Sequence, residues 1–240
     1  MKYKTLFISD THLGTRNSQA DKLLKFLVDN EFEKIYLVGD IIDMIAMKKK
    51  FYWKKNHNNV IQKLLKLSKK IEVIYIVGNH DIFLESFIGE SFGNIMIKES
   101  DIHTSIDNKE YMIIHGHQFD GALMTYTWLY SLGSVAYDLS VWLNGIYNNL
   151  RKYLGMDYWS LSLFLKKKTK NAINFINSFE EVLSNYAKEN GVSNIIAGHI
   201  HMSGDKIIND VRYINCGCWT EFTSCVIEDL EGKIHILEIV

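Results

Sequence analysis

Five apolar runs in this chain each end on a short polar signature. In order, the signatures are Asp10-Thr11-His12, Gly39-Asp40-Ile41-Ile42-Asp43, Gly78-Asn79-His80-Asp81, His115-Gly116-His117 and Gly198-His199-Ile200-His201. Short continuous apolar runs bounded by turn residues read as strands buried on both faces, the pattern of a parallel sheet covered by helices. Strand ends along one sheet edge converge in space however far apart they lie in sequence. A convergent set of carboxylates, an amide oxygen and imidazoles is the donor set that two divalent cations need. The pattern thus points to an α/β protein whose strand ends build a binuclear metal site suited to phosphoester chemistry.

The segments between the signatures agree with that layout. Tyr3–Ser9 predicts a strand, and Ala20–Asn30 a helix with Leu23, Leu24, Leu27 and Val28 at helical spacing. Ile35–Val38 predicts a strand, Val60–Leu67 a helix and Val73–Val77 a strand. Ile95–Ile97, Ile102–Ile106 and Glu110–Ile114 follow as short strands. From 121 to about 190 the character is helical and aromatic, with Trp128, Tyr130, Tyr137, Trp142, Tyr147, Tyr158, Trp159 and Phe164. Strands resume at Asn194–Ala197, Lys206–Ile208, Val211–Ile214, Ser224–Glu228 and Ile234–Ile239. One domain spanning 1–240, with a helical block inserted at 121–190, is expected.

Composition narrows the function classes. The 240 residues are 47% hydrophobic and 23% charged, with a net charge of −1. That gives room for one large core and no global positive field to hold nucleic acid. No run of eighteen apolar residues is present, and the N-terminal run stops at Asp10, too short for a signal peptide, so a cytoplasmic protein is expected. Three cysteines, Cys216, Cys218 and Cys225, are odd in number and clustered late. They predict reduced, buried thiols and no disulfide framework. Proline is absent, which removes one marker of loops.

Taken in this order, the motif series resembles the calcineurin-like metallophosphoesterases, over nearly the whole chain apart from the helical block. The resemblance implies a β-sandwich flanked by helices in an αββα arrangement, and metal-dependent hydrolysis of phosphoester or pyrophosphate bonds. Carried over by position, it implies that Asp10, His12 and His201 hold one metal, that Asn79, His115 and His199 hold the second, and that Asp40 bridges both. Oxygen donors mixed with imidazole suit Mn²⁺ first, with Fe or Zn²⁺ as alternatives. Two such ions about 3.5–4 Å apart activate a shared hydroxide for in-line attack on phosphorus. His80 takes the place of the catalytic histidine, serving the leaving oxygen, and Asp43 that of the carboxylate orienting its ring. Asp81 is expected to brace the local turn. His57, His103 and His235 are expected on the surface or in structural roles.

Finer likenesses point within the family. Gly78-Asn79-His80-Asp81-Ile82-Phe83-Leu84, the run from His115 to Asp120, the inserted block and the segment from Asn215 to Glu221 resemble the branch containing UDP-2,3-diacylglucosamine pyrophosphatase. That likeness implies a nucleotide-lipid substrate, with His117 and Trp219 as substrate contacts. Two positions depart from it: His80 stands where that branch usually has Arg, and His117 where it typically has Asp. A general phosphodiesterase or phosphomonoesterase on nucleotide-type substrates is the alternative, and a non-catalytic metal-dependent scaffold is a third reading. For the helical block three roles stay open: packing or a homodimer contact, a lid over substrate, and peripheral docking at the inner membrane face through Arg151, Lys152 and Lys166-Lys167-Lys168.

Overall fold

The computed structural model describes residues 1–120 and 170–239. The chain divides into two compact units, Met1–Gln118 with Leu183–Val240, and Phe119–Val182. Every motif residue lies in the first unit. The expected insertion at 121–190 falls mostly outside the described residues, as do Arg151, Lys152, the lysine triplet and the aromatics from Trp128 to Phe164.

Among the described residues, the strands form two sheets. Strands β1 (Lys2–Ile8), β2 (Glu31–Val38), β3 (Glu72–Ile76), β4 (Ser91–Phe92), β5 (Ile95–Lys98), β11 (Ser224–Glu228) and β12 (Ile234–Glu238) make a seven-stranded sheet in the order β12-β11-β1-β2-β3-β5-β4. Strands β6 (Ser100–Thr104), β7 (Glu110–Ile114), β8 (Asn194–Ala197), β9 (Gly204–Ile208) and β10 (Val211–Asn215) make a five-stranded sheet in the order β6-β7-β8-β10-β9. Helices α1 (Ala20–Asp29), α2 (Met44–Lys49), α3 (Lys55–Leu67) and α4 (Lys170–Glu189) complete the described elements, with a 3₁₀ turn at Ile82–Phe87.

The continuous apolar runs have a packing explanation. Leu6 and Ile8 of β1, Ile35 and Leu37 of β2, and Val73 and Tyr75 of β3 join Leu23 and Leu27 of α1 and Val60 and Leu64 of α3 in one core cluster. The alternate residues Phe7, Tyr36, Val38, Ile74 and Ile76 face the second sheet and pack with Tyr111, Ile113, Ile196 and Ile214. Each central strand therefore buries both faces, so its polar alternation disappears. Each large side chain so buried contributes about 1.5–3 kcal/mol of transfer free energy.

The expected parallel sheet is the centre of a mixed one. β1, β2, β3 and β5 run parallel, whereas β4 and β11 pair antiparallel with β5 and β1, and β12 pairs antiparallel with β11. In the second sheet β7, β8 and β10 run parallel. In register, Ile8 pairs with Leu37 and Val38 with Ile76, so the carboxy ends of β1, β2 and β3 line one edge. Three short elements were not expected: α2, the 3₁₀ turn and β4. Val28 of α1 is 58% exposed, so it sits outside the buried stripe that its spacing implied.

Candidate metal centre

The five signatures follow β1, β2, β3, β7 and β8 immediately, and their side chains converge at those strand ends. Asp10, His12 and His201 bring one donor atom each within 4.8 Å of one another, as do Asp40, His115 and His199, and His12, Asp40 and His80. His201 Nε2 lies 3.1 Å from Asp10 Oδ1 and 3.1 Å from His12 Nε2. Asp40 Oδ2 lies 3.4 Å from His115 Nε2 and 3.8 Å from His12 Nε2. Asn79 Oδ1 completes the second group, 3.3 Å from His115 Nε2.

The local backbone is shaped to make this convergence. Asp10, His12, Asp40, His199 and His201 all adopt left-handed conformations, with φ of 52°, 44°, 55°, 71° and 54°. Such geometry costs a residue bearing a Cβ roughly 1–2 kcal/mol and persists where surrounding contacts over-determine it. Those contacts are present. Asp10 Oδ2 accepts the His199 N–H at 2.9 Å, and Asp40 Oδ1 accepts the His80 N–H at 2.8 Å. His115 Nδ1 lies 2.8 Å from the Val38 carbonyl, bridging the two sheets. Close approach also fixes two glycines: a Cβ on Gly78 would overlap Asp40, and one on Gly198 would overlap Ser9 and crowd Asp10.

The donor set fits a cation. Asp10 Oδ1 is fully buried and accepts no hydrogen bond. With Asp43 2.9 Å from its Nδ1, His12 turns Nε2 toward His201. Carboxylate oxygens and imidazole nitrogens with no thiolate among them suit Mn²⁺, Fe or Zn²⁺. The electrostatics agree. Burial opposes the imidazolium of His201, yet Asp10 beside it raises the ring to about 9, and Asp40 does the same for His115, also to about 9. Burial likewise opposes the charged carboxyls, and His201 for Asp10 and His115 for Asp40 hold both well below the usual range.

Asp43 serves two rings at once. Its Oδ2 meets His12 Nδ1 and its Oδ1 meets His80 Nδ1, each at 2.9 Å. The same Oδ1 accepts the Ala46 N–H at 2.7 Å and caps α2. The structure brings Asp43 and His80 together, and the bond to His12 was not anticipated. His80 keeps 31% of its side chain exposed, where His115 and Asp10 expose none. Asp81 is wholly buried and accepts the Gly78 N–H, the Ile41 N–H and the Tyr75 hydroxyl at 2.6–2.8 Å. It braces the turn as expected, and burial with Asp40 nearby raises its carboxyl.

Other positions fall less centrally. His117 is half-buried, its ring 5.5 Å from that of His115. Trp219, expected as a substrate contact, is fully buried in the core against Phe26, with ring centres 6.1 Å apart. An indole with no exposed surface packs the floor and offers nothing to a ligand in this arrangement. His57 is buried and accepts the Gly14 N–H, and His103 is buried at 2.9 Å from Glu228, both structural. The three cysteines are free and buried. Two contributors escaped the sequence reading. Ser9 Oγ donates to the Val38 carbonyl at 2.7 Å and touches Asp10 Oδ2. Beside Cys218, His201 outweighs the effect of burial and brings the thiol down to about 7.

Comparison with known proteins gives the same direction. A model of the family described as Calcineurin-like phosphoesterase matches residues 3–203. UDP-2,3-diacylglucosamine hydrolase of Blochmanniella pennsylvanica (strain BPEN) is 23% identical over 248 residues, covering 92% of this chain and 90% of that protein. The solved structure of a hypothetical protein from Pyrococcus horikoshii OT3 overlays with a TM-score of 0.53 at 13% identity, covering 100% of this chain and 88% of the other, a likeness of fold. With a family match over residues 3–203 that takes in the converging donors of all five signatures, this chain belongs to the calcineurin-like phosphoesterase family.

Proposed function

We propose that the chain is a two-metal hydrolase of phosphoester or pyrophosphate bonds, with a nucleotide-linked lipid as its foremost substrate class. The observation that carries this reading is the position of Asp40, whose carboxylate belongs both to a cluster with His12 and to a cluster with His115 and His199. Asp10, His12 and His201 would hold one ion, Asn79, His115 and His199 the other, with Asp40 shared and Mn²⁺ the first choice of metal. When bound, such ions offset phosphoryl charge and lower the pKa of water at the site. The chain's own residues do the rest. Asp43 fixes His12 for ligation and, by holding His80 at Nδ1, leaves the other ring nitrogen to pass a proton to the leaving oxygen. The exposed edge of His80 gives that nitrogen access to a substrate.

The lipid substrate is supported by the name of the Blochmanniella relative and its coverage of both chains. One domain carrying a helical block at 121–190, and a cytoplasmic location, belong to the same reading. The His80–Asp43 pair favours a second reading, a general phosphodiesterase or phosphomonoesterase. Purified protein with Mn²⁺ is expected to hydrolyse a nitrophenyl phosphoester, and Asp40→Ala and His80→Ala each to abolish most of that rate. Undiminished rates in both variants would overturn the assignment. Release of UMP from UDP-2,3-diacylglucosamine supports the first substrate class, and turnover of simple esters alone supports the second.

A further inference from the structure

From the last residues of α2 to the first of α3 the chain reads Lys48-Lys49-Lys50-Phe51-Tyr52-Trp53-Lys54-Lys55, five cations around three aromatics in a chain of net charge −1. All five lysines are exposed. Among the described residues no carboxylate forms an ion pair with any of them, unlike Lys4, Lys25 or Lys109. Phe51, at the centre of the cluster, is 74% exposed, and Met44 and Ile45 of the adjoining helix are exposed as well.

The rest of the loop is anchored. The Tyr52 and Trp53 rings lie 5.7 Å and 5.4 Å from that of buried His57 on α3. Lys54 and Arg16 sit over the Tyr52 ring at 5.5 Å and 5.7 Å, which adds Arg16 to the patch. Tyr52 and Trp53 therefore hold a platform while Phe51 and the lysines face solvent. The Met44 N–H donates to the His80 carbonyl at 3.1 Å, so this corner is tied to the loop that carries His80. Just beyond His80, the 3₁₀ turn exposes Ile82 and Phe83.

Unpaired cations ringing an open aromatic match the interface of an anionic bilayer, where lysines meet phosphate headgroups and an apolar ring enters the acyl boundary. The near-neutral chain has no broad field to hold a polyanion nonspecifically, and apolar exposure beside the cations favours lipid over nucleic acid. We infer that the corner formed by α2, the 48–55 segment and Arg16 docks the protein on anionic membrane surfaces, holding the His80 loop close to the lipid headgroups. Docking is independent of turnover and is read without it.

The full chain, in EDTA, is sedimented with phosphatidylcholine vesicles with and without phosphatidylglycerol. Binding to the anionic vesicles alone, released by high salt, is expected. Each surface lysine is worth roughly fivefold in affinity, so Lys48→Ala/Lys49→Ala/Lys50→Ala should weaken binding about a hundredfold. Phe51→Ser should weaken it about tenfold or more. Both variants should keep the wild-type rate on a nitrophenyl phosphoester with Mn²⁺, which shows that they are folded and separates a docking failure from a catalytic one. Failure of the wild type to sediment, equal binding to neutral vesicles, an unaffected lysine variant, or preference for a single-stranded oligonucleotide would each overturn the inference.

Discussion

Replacing Asp43 with Asn tests whether one carboxylate orients both a metal ligand and the proton donor. Its two oxygens serve three partners, His12 Nδ1, His80 Nδ1 and the Ala46 N–H, at 2.9, 2.9 and 2.7 Å. An amide keeps one acceptor oxygen and turns an NH₂ toward the second ring. There it either faces an N–H or drives that ring's proton onto the far nitrogen. If His12 suffers, its ligating nitrogen is blocked, and loss of such an outer partner lowers metal affinity about 10–100-fold. If His80 suffers, the carboxylate 2.9 Å from its Nδ1 no longer offsets charge on the ring, and about 1.4 kcal/mol lost from the step it serves is roughly a tenfold drop in kcat. The carboxylate is 6% exposed, so solvent does not screen either loss appreciably. Asn caps helices as well as Asp, so Asp43→Asn should melt near wild type, while Asp43→Ala should lose about 1 kcal/mol from the cap. Calorimetric Mn²⁺ titration and saturation kinetics on a nitrophenyl phosphoester at saturating Mn²⁺ separate the two effects. Affinity and kcat both within threefold of wild type would refute the shared-orientation argument.

Two further tests address stability. Gly198→Ala places a Cβ over Ser9 and 2.7 Å from Asp10 Oδ2, so it should cost about 1–3 kcal/mol and abolish Mn²⁺ binding by calorimetry. Gly191→Ala, at φ +75° with open space around it, should cost only about 1–2 kcal/mol and leave Mn²⁺ binding intact; equal effects of the two on the metal would count against the packing argument. Burial raises the Glu228 carboxyl, but His103, the Ile106 N–H and Thr5 outweigh it and hold it below the ordinary 4.5. A depressed folded pKa stabilises fully above the unfolded value and is lost as pH falls through the folded one. Thermal melts should therefore show wild type ahead of Glu228→Gln at pH 7, with the gap closing below about pH 4.5. A gap that persists into strong acid would contradict this assignment.

Much of the fold was legible because the central strands bury both faces, and runs such as Ile35–Val38 announce that plainly. The antiparallel pairings were not, because β11 and β12 carry the same apolar signal whichever way they pair. Helix α2 has six residues, too few for a periodic stripe, and it forms because Asp43 caps it. In the site, Asp43 was readable as the partner of His80, but its second bond reaches 31 residues back to His12, a relation no local spacing encodes. Trp219 misled for the opposite reason: its sequence neighbours suggested a pocket, while its ring fills the core beside Phe26. Nor does the modest enrichment of Asp and His at positive φ single out the five site positions that adopt it.

The five left-handed positions, Asp10, His12, Asp40, His199 and His201, bear on how long the protein survives in a cell. At roughly 1 kcal/mol or more each, they withhold an amount comparable to the net stability of about 5–15 kcal/mol that a folded domain retains. Occupancy by a cation at a hundred times its dissociation constant returns about 2.7 kcal/mol to the folded state. Under the two-metal reading, newly made copies that fail to load sit nearer the unfolding threshold and reach proteases first. Melting the protein with and without Mn²⁺ measures that margin directly. Cellular abundance would then track metal supply, with turnover doing the sorting and no dedicated sensor required.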